Sequence, residues 1–460
     1  MDIDKLLKQS KHIHFIGIGG AGMCPLAEIL LKLGYTVSGS DNNDTETFRR
    51  IEREGAKCFL GQKKENISAG TDMVVYTNAI LAGNEELEYA KENFPCYERA
   101  ELLGAFSRHF TNCIGICGTH GKTTTSSMTT VALLEAGLDP SAVIGGKLPE
   151  IDAYGRFGKT QNFVCESCEF NNTFLKMNPD MTVILNIDED HLDFFKNLEN
   201  IKKSFAQFAE NTTKTIIYNG DDENVLDTVS RVQGKKMISF GLGKNNEWYA
   251  DNIQTPDGFH SDFDIYHNGE FVIKCDLSVP GEHNVLNALS AFVASYESGA
   301  KPELICKGLN KFHGAGRRFE ILGVYNGVTL ADDYAHHPKE IEVTLKAAKK
   351  MGYKNVWAVH QPFTYTRTSL LLDDFAKVLQ IADKCVLTEI MGSREVNTIG
   401  IHTSDLAEKI PGAVWFETFE QVADYVLENA QDGDLVITLG CGDVYKISRI
   451  MINKINEKNK

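Results

Sequence analysis

The sequence lacks the long apolar run that a membrane-spanning helix requires, since none of its hydrophobic stretches approaches about 20 residues. Its beginning, MDIDKLLKQSKHIHFIGIGG, runs into a strand-like segment and lacks the charged, apolar and small-residue regions of a signal peptide. These two absences predict a protein that has no membrane partner and stays in the cytoplasm.

Basic residues are too few to balance the acidic ones. The chain has 47 Lys and Arg against 63 Asp and Glu, which gives a formal net charge of −16. A nucleic-acid partner would require a basic surface, so this balance argues against one. An anionic small substrate is compatible with the charge, because local Lys, Arg and helix N-termini hold phosphates whatever the overall sign.

The cysteines do not form the pattern of a disulfide framework. The eleven cysteines are scattered singly and their number is odd, as expected for thiols in a reducing compartment. The C-x-x-C pair, Cys165 and Cys168, has neither a second such pair nor a local His partner. We therefore interpret it as two small, partly buried thiols rather than a redox or zinc site.

Low-complexity linkers and internal repeats are also absent, so the organisation is read from the order of the secondary-structure patterns. At 460 residues the chain is long enough for about three domains. A strand, a glycine-containing turn and a helix alternate along it, which predicts the α/β class with largely parallel sheets. We predict a Rossmann-like domain over 1–108, a central P-loop ATPase-like α/β domain over 109–315 and a C-terminal Rossmann-like domain over 316–460. The polar tail MINKINEKNK is predicted to be a frayed end.

The strongest local pattern is GTHGKT, residues 118–123, between a short apolar strand and a helix. This is the setting of a phosphate-binding loop, in which glycines let backbone N–H groups approach the phosphates and the helix N-terminus adds positive charge. Lys122 would reach the β and γ phosphates of ATP, and the Thr123 hydroxyl would ligate Mg²⁺. The usual loop has a further glycine where this chain has Ile116, so the sequence predicts a compact GT-x-GKT variant.

A second glycine-rich turn, Gly17-x-Gly19-x-x-Gly22, follows the first strand and opens a helix. Asp41 lies at the end of the next strand, where a ribose-binding acid of a dinucleotide site would be. The same turn can hold any diphosphate, including that of a sugar nucleotide, or can be a tight turn without a ligand. The phosphate loop that follows argues against a hydride-transfer enzyme.

Acidic residues follow two later strands. Glu166 ends the strand-like segment NFVCE and Glu169 follows it, and the run from Asp188 to His191 follows MTVILNI. Loops at the carboxyl ends of parallel strands are where ligands gather, and carboxylates there can hold Mg²⁺. The alternative for any one of them is a solvated loop charge.

Further polar residues mark helix starts and strand ends in the second half of the chain. Amide side chains in GEHNVLNA can read a base edge or simply cap a helix, and Arg367 has the fork that binds both oxygens of a carboxylate. The other histidines, arginines and aspartates of this half would either place a charge near a ligand or cap a helix. The candidates are His283, Asn284, Asn287, Arg317, Arg318, Asp332, Asp333, His336, His337 and Arg367.

With these motifs in order, essentially the whole chain resembles the muramyl ligases of peptidoglycan synthesis. The combination is highly specific, although no single motif is. The markers are GIGGAGM (17–23), SGSD (38–41), YTNAI (76–80), GTHGKTTT (118–125), NIDEDHLD (186–193), GEHNVLNA (281–288), GAGRRFE (314–320), DDYAHHP (332–338) and QPFTYTRT (361–368).

The resemblance implies a role for each matching residue. For the UDP part of a sugar nucleotide it implies Gly19, Gly20, Ala21, Gly22, Asp41, Thr77, Asn78, Ala79, Ile80 and Arg99. For ATP it implies Gly118, Thr119, His120, Gly121, Lys122, Thr123, Thr124, His283, Asn284, Asn287, Arg318 and Asp332. The residues that the resemblance implies for binding Mg²⁺ are Thr123, Glu166 and His191. Those that it implies for catalysis are Lys122, His191, Arg317 and His337. For the incoming amino acid it implies His337 and Arg367.

The resemblance also implies the reaction. ATP would phosphorylate the lactyl carboxylate of UDP-N-acetylmuramate, and the amine of L-alanine would attack the resulting acyl phosphate to give the amide, ADP and phosphate. ATP and Mg²⁺ are the expected cofactors, and the expected assembly is a monomer or a weak homodimer. The loop expected to read HRYSRT or HTFSRT reads FTYTRT here, so Phe363 replaces a histidine in the expected amino-acid pocket and Thr364 stands where one of those patterns has arginine.

Three other functions compete with this interpretation. A ligase of the same fold that attaches a preformed tripeptide to UDP-N-acetylmuramate shares several motifs, but GIGGAGM together with the QP…RT segment favours alanine addition. A nicotinamide-dependent dehydrogenase would have no use for GTHGKT and the acids after it. A catalytically dead binder is disfavoured because Lys122, Thr123, Glu166 and His191 are all present.

Overall fold

The computed structural model describes residues 2–81, 83–256, 260–393 and 395–458, without the side chains at 193 and 458. It contains three separate sheets with helices beside them, which confirms the predicted α/β class. The first two sheets belong to one compact unit within Met1–Gln254 and Ser261–His313, and the third belongs to a unit within Thr255–His260 and Gly314–Lys460. The exact domain boundaries near 108 and 315 stay predictions.

The first sheet has five parallel strands in the order β3-β2-β1-β4-β5, the arrangement of a Rossmann-like half. Its strands are β1 (His12–Ile16), β2 (Thr36–Asp41), β3 (Lys57–Leu60), β4 (Met73–Tyr76) and β5 (Cys96–Glu98). Its helices are α1 (Ile3–Gln9), α2 (Cys24–Lys32), α3 (Glu46–Arg53), α4 (Glu85–Asn93) and α5 (Arg99–His109). Side-chain caps fix where two of the helices begin, since Thr45 accepts the Phe48 N–H and Asn84 accepts the Leu87 N–H.

The second sheet has ten strands in the order β15-β14-β13-β12-β11-β10-β6-β9-β7-β8. Its centre is parallel, whereas β13, β14 and β15 form an antiparallel meander and β8 pairs antiparallel with β7. The strands are β6 (Asn112–Cys117), β7 (Ser141–Leu148), β8 (Ala153–Arg156), β9 (Asn162–Glu166), β10 (Met181–Ile184), β11 (Thr215–Asn219), β12 (Lys236–Gly241), β13 (Trp248–Gln254), β14 (Ser261–His267) and β15 (Glu270–Leu277). The helices are α6 (Lys122–Glu135), α7 (Leu192–Phe195), α8 (Leu198–Asn211), α9 (Glu223–Val229), α10 (Glu282–Glu297) and α11 (Pro302–Lys311).

The third sheet has six strands in the order β16-β17-β21-β18-β19-β20, all parallel except for β16. Its strands are β16 (Glu320–Tyr325), β17 (Val328–Asp333), β18 (Val356–His360), β19 (Lys384–Thr388), β20 (Val414–Phe416) and β21 (Leu435–Leu439). Its helices are α12 (Pro338–Lys350), α13 (Tyr365–Leu370), α14 (Leu372–Leu379), α15 (Thr403–Ala407), α16 (Phe419–Asn429) and α17 (Tyr445–Lys458). In the described part of the chain, no helix combines the length and apolar character needed to cross a bilayer.

The prediction of a frayed tail is wrong. Helix α17 continues through Lys458, and the side chains of Met451 and Ile455 are 0% and 7% exposed. Met451 belongs to the same apolar cluster as Trp357 and Val436. The spacing of four residues between Met451 and Ile455 puts both on one helix face, and the polar residues between them hide this pattern in composition alone.

A buried hydrogen-bonded network lies inside the first sheet. The carboxylate of Glu86, which is fully buried, accepts from Ser40 Oγ at 2.5 Å and lies 3.0 Å from His14 Nε2. Ser38 Oγ lies 2.8 Å from His14 Nδ1, which continues the network along β2. Because the Ser40 carbonyl accepts the N–H groups of Gly17 and Ile18, the network also supports the glycine turn after β1.

Replacing Glu86 with alanine is expected to destabilise this sheet by about 3 kcal/mol, because the buried partners lose their acceptor. Hydrogen–deuterium exchange of the β1 and β2 amides should become faster by on the order of 100-fold. The control is Glu85→Ala on the exposed side of α4, which should change the exchange little. Equal exchange rates in the two variants would show that the network contributes nothing.

Met451→Ala is expected to lower the free energy of unfolding of the third-sheet unit by about 2–4 kcal/mol, since it leaves a cavity in a closed cluster. Urea denaturation followed by intrinsic fluorescence, to which Trp357 of that cluster contributes, measures the change. Asn453→Ala on the exposed face of α17 is the matched control. A frayed tail would leave both variants as stable as the unaltered protein.

Candidate functional site

The phosphate loop connects β6 to α6 and requires glycine at two positions. Gly118 and Gly121 have φ angles of +146° and +83°, and residues other than glycine rarely adopt this backbone region. A Cβ on Gly121 would lie 2.5 Å from Oδ1 of Asn287, and one on Gly118 would lie 2.9 Å from Cβ of Leu185. The loop therefore packs closely against the elements around it while the N-terminus of α6 points into it.

Lys122, the first residue of α6, holds its ammonium group against its own loop. Nζ donates to the carbonyl oxygens of Gly118 at 2.6 Å and Thr119 at 3.0 Å, and to Glu169 Oε1 at 3.1 Å. Burial opposes the charge on Lys122, but the carboxylates of Glu169 and Glu166 outweigh that effect and raise the pKa above its ordinary value. The lysine is therefore a firmly charged cation inside the site.

Thr123 faces the acid at the end of β9. Its hydroxyl, in a side chain that is almost fully buried, donates to Glu166 Oε2 at 2.8 Å, and that same oxygen accepts the Gly145 N–H at 3.0 Å. A hydroxyl and a carboxylate are the hard oxygen donors that suit Mg²⁺. Among the described residues no three His, Cys, Asp or Glu side chains form a complete metal site.

The loop after β10 shapes the middle of the phosphate loop through Asn186. Asn186 Oδ1 accepts the His120 N–H at 2.8 Å, and its amide nitrogen donates to the His120 carbonyl at 3.1 Å. Thr119 Oγ1 accepts the Asp188 N–H at 2.9 Å, and His120 Nε2 lies 3.7 Å from Asp188 Oδ2. The sequence interpretation named Asp188 but missed Asn186, whose only signal was its place at the start of NIDEDHLD.

His191 follows the same loop and begins α7 with a positive φ of +51°. Its ring centroid lies 4.7 Å from that of Phe170, the residue directly after Glu169. Its Nε2 lies 3.7 Å from Asp190 Oδ2. The predicted histidine is thus beside the acid loop, and its metal and catalytic roles stay predictions.

The start of α10 approaches the phosphate loop through two amides. Thr125 Oγ1 donates to Asn287 Oδ1 at 3.3 Å, and the side-chain amide nitrogen Nδ2 of Asn287 donates to Asn284 Oδ1 at 3.4 Å. Asn284 in turn donates to the Pro280 carbonyl at 2.7 Å. His283 is exposed at the first turn of this helix. The structure therefore brings Asn287 to the loop, with Asn284 hydrogen-bonded to it.

The glycine turn after β1 is surrounded by the residues predicted to accompany it. Asp41 Oδ2 accepts the Gly19 N–H at 3.0 Å, so this carboxylate supports the turn itself. A Cβ on Gly22 would lie 3.3 Å from the Arg99 side chain, and one on Gly17 would lie 2.6 Å from Thr77 Cγ2. At the surface of this region lie Gly20, Ala21, Asn78, Ala79 and Ile80, of which Ala21, Asn78 and Ala79 are exposed.

In the third-sheet unit, Arg317 is held by groups of its own unit. It has a φ of +60°, and Nε donates to Asp332 Oδ2 at 2.8 Å while Nη2 donates to the Gly440 carbonyl at 2.6 Å. Asp332 also accepts from Thr438 Oγ1 at 2.6 Å. The Arg318 guanidinium lies 5.1 Å from the centroid of the Tyr334 ring.

The other predicted residues of this unit follow β17 and β18. His337 is 7% exposed, caps α12 and accepts the Lys339 N–H at Nδ1 at 3.4 Å. Asp333, next to Asp332, accepts two backbone N–H groups, and burial raises its pKa to about 6. Burial raises the pKa of Cys441, in the loop after β21, to about 12, and the charges of Arg367 and Arg317 act in the opposite direction.

Phe363, the residue found where a histidine was expected, is half-buried. Its ring centroid lies 6.5 Å from that of His336 in an edge-on arrangement. The next residue, Thr364, donates its N–H to the Met391 carbonyl at 2.9 Å and has a φ of +62°. The segment between β18 and α13 therefore carries an aromatic ring at the position where a histidine was expected.

Three family models match successive parts of the chain. The model described as the Mur ligase family, catalytic domain, matches residues 12–111. The Mur ligase middle domain matches 116–295, and the model described as the Mur ligase, glutamate ligase domain, matches 317–442. Together they cover most of the chain.

Curated relatives match over nearly full length. The UDP-N-acetylmuramate–L-alanine ligase of Acetivibrio thermocellus is 43% identical over 450 residues, which is 96% of this chain and 96% of that protein. The enzyme of the same name from Caldanaerobacter subterraneus subsp. tengcongensis is 40% identical over 467 residues and covers 100% of both chains.

Solved structures agree with these relatives. The UDP-N-acetylmuramate-alanine ligase of Thermotoga maritima superposes with a TM-score of 0.84 at 26% identity, covering 97% of this chain and 99% of that one. A murein peptide ligase from Psychrobacter arcticus superposes with a TM-score of 0.77 at 25% identity, covering 97% and 98%. Matches of this extent, in both sequence and fold, show that the chain belongs to the Mur ligase family.

Proposed function

We propose that this chain joins L-alanine to the lactyl carboxylate of UDP-N-acetylmuramate, with conversion of ATP to ADP and phosphate. The observation that carries the proposal is the phosphate loop, with Lys122 and Thr123 set against Glu169 and Glu166. The full-length likeness to enzymes named UDP-N-acetylmuramate–L-alanine ligase supports the choice of substrates.

ATP would bind with its phosphates in the loop from Gly118 to Thr124. The N–H groups of the loop and the N-terminus of α6 are the donors there, with Lys122 as the point charge. Thr123 and Glu166 would hold Mg²⁺, with His191 as the third predicted group. When bound, Mg²⁺ screens the charge of the phosphates. The remaining nucleotide contacts are assigned to His283, Asn284, Asn287, Arg318 and Asp332.

The sugar nucleotide would bind at the glycine turn of the first sheet. The backbone of Gly19, Gly20, Ala21 and Gly22 opens a helix, and such a turn suits a diphosphate. The side chain of Arg99 beside Gly22 supplies a positive charge at that turn. Asp41 keeps the turn in shape through the Gly19 N–H. The stretch from Thr77 to Ile80, after β4, completes this subsite.

The reaction proceeds in two steps. An oxygen of the lactyl carboxylate attacks the γ-phosphorus of ATP, the bond to the ADP oxygen breaks, and an acyl phosphate forms. The amine of L-alanine then attacks the acyl carbon, and the tetrahedral intermediate collapses with loss of phosphate and of one amine proton. Lys122 and Arg317 would neutralise the developing charge, whereas His337 and Arg367 would hold the amino acid.

The proposal is tested by ADP formation with UDP-N-acetylmuramate across a panel of L-alanine, glycine, L-serine and a tripeptide. L-alanine is expected to support turnover and the tripeptide is not. Turnover with the tripeptide alone would instead identify a peptide ligase of the kind solved from Psychrobacter arcticus. Measuring Phe363→His in parallel shows whether the aromatic ring sets the preference among the small amino acids.

Lys122→Met is expected to lower kcat for ADP formation by about 100- to 1,000-fold, since it removes one charged group that stabilises the transferring phosphoryl group. Lys159→Met, at an exposed lysine in the connection between β8 and β9, is the control for the lost charge. Thermal unfolding of Lys159→Met should resemble that of the unaltered protein, whereas Lys122→Met should unfold at a lower temperature because the buried Glu169 carboxylate loses its partner. Turnover is therefore compared at a temperature at which both variants are folded. Unchanged turnover in Lys122→Met would contradict the role of the phosphate loop.

A further inference from the structure

Glu169 is a buried acid to which the reaction above assigns no role. Its side chain is 4% exposed, and its carboxylate oxygens lie 3.1 Å and 3.0 Å from Lys122 Nζ. It lies three residues beyond the end of β9, in the turn that leads into the short 3-10 segment Phe170–Lys176. A carboxylate this deeply buried requires a cationic partner, and Lys122 is that partner among the described residues.

The Lys122 ammonium group uses all three of its N–H donors in hydrogen bonds within the protein. Two go to the carbonyl oxygens of Gly118 and Thr119, and the third goes to Glu169. A lysine ammonium has no fourth donor. A phosphate oxygen that binds Lys122 must therefore displace one of these acceptors, and Glu169 is the acceptor that carries a charge.

The charge balance around the lysine favours a cation over an anion. One ammonium, Lys122, faces two carboxylates, Glu166 and Glu169, and both act to raise the lysine pKa. If a phosphate takes over Lys122, Glu169 is left as a buried anion beside a further anion. Leaving a buried charge without its partner is strongly unfavourable, and juxtaposed like charges add to the cost.

We infer that Glu169 is a positioning residue that makes nucleotide binding depend on Mg²⁺. Its carboxylate holds the Lys122 ammonium group that the γ-phosphate would need, so that metal-free ATP is opposed. A divalent cation beside Glu166 restores the balance and lets the phosphates share Lys122. This inference rests on the proposed binding of ATP at the loop, and it does not depend on which carboxylate and amine are joined.

The role differs from that of a metal ligand and from that of a purely structural ion pair. A ligand would strengthen binding of the magnesium complex and leave metal-free ATP unaffected. A structural pair would alter stability without altering the preference between the two forms of the nucleotide. The role inferred for Glu169 acts on metal-free ATP, which is therefore the quantity to measure.

The test is isothermal titration of ATP into the full chain, once with EDTA and once with excess Mg²⁺. Glu169→Gln keeps the size and an oxygen acceptor for Lys122 but removes the charge. The Kd for metal-free ATP is expected to fall by on the order of tenfold, whereas the Kd for the magnesium complex changes by less than about threefold. Glu189→Gln, at an exposed acid of the loop after β10, controls for the change in net charge.

Glu166→Gln provides the contrasting pattern, because the loss of a proposed metal ligand should weaken the magnesium complex, which Glu169→Gln leaves nearly unchanged. Glu169→Asp keeps the charge and should keep the preference of the unaltered protein. A Glu169→Gln variant that binds metal-free ATP no better than the unaltered protein, while its thermal unfolding is unchanged, would overturn the inference. Absence of any ATP binding to the unaltered protein would instead contradict the proposed function.

A measurement on the unaltered protein covers the case in which Glu169→Gln does not fold. Without metal, ATP is expected to bind more weakly than ADP, because its γ-phosphate must compete with Glu169 for Lys122. Excess Mg²⁺ should reverse this order. Tighter binding of metal-free ATP than of metal-free ADP would overturn the role of Glu169.

Discussion

The carboxyl ends of three neighbouring parallel strands determine the phosphate site. Strand β6 lies between β10 and β9, so the loops after these strands meet at one edge of the second sheet. The loop after β6 brings Lys122, the loop after β9 brings Glu166 and Glu169, and the loop after β10 brings Asn186. These residues, which lie between Lys122 and Asn186 in the sequence, converge because the register of the strands puts them together, and no local preference does so.

Much of this site could be predicted from sequence, because its signals are local. The strand before Gly118 and the helix after Lys122 are contiguous with the loop, and NFVCE is the strand Asn162–Glu166. Contacts between residues far apart in the sequence could not be predicted. The bond between Asn186 and His120 depends on strand order, and the approach of Asn287 to Gly121 depends on how α10 packs against α6. Neither arrangement leaves a periodic trace in the sequence.

In the third sheet, too, local features could be predicted from sequence and long-range contacts could not. Its strands follow from apolar runs, and the residues after β17 were recognised by type. What the sequence does not contain is the pairing of Arg317 with Asp332, or the positive φ of Arg317 that aims its guanidinium at the Gly440 carbonyl. In a chain of net charge −16, Arg317 and Lys122 are both held by an acid and by backbone carbonyls.

Helix α17 has a consequence for how the protein is made. The apolar cluster on one face of the third sheet contains Leu330 and Val436 from the strands and Met451 from the helix. The part of that face formed by β17 and β21 stays uncovered until residues 445–458 have been synthesised, although α16 already packs against β19 and β20. The strands and helices of the first sheet, by contrast, all lie within residues 3–109 and can assemble while the rest of the chain is still being translated. A chain cut short before α17 would therefore have two complete sheets and a third that exposes apolar surface to chaperones and proteases.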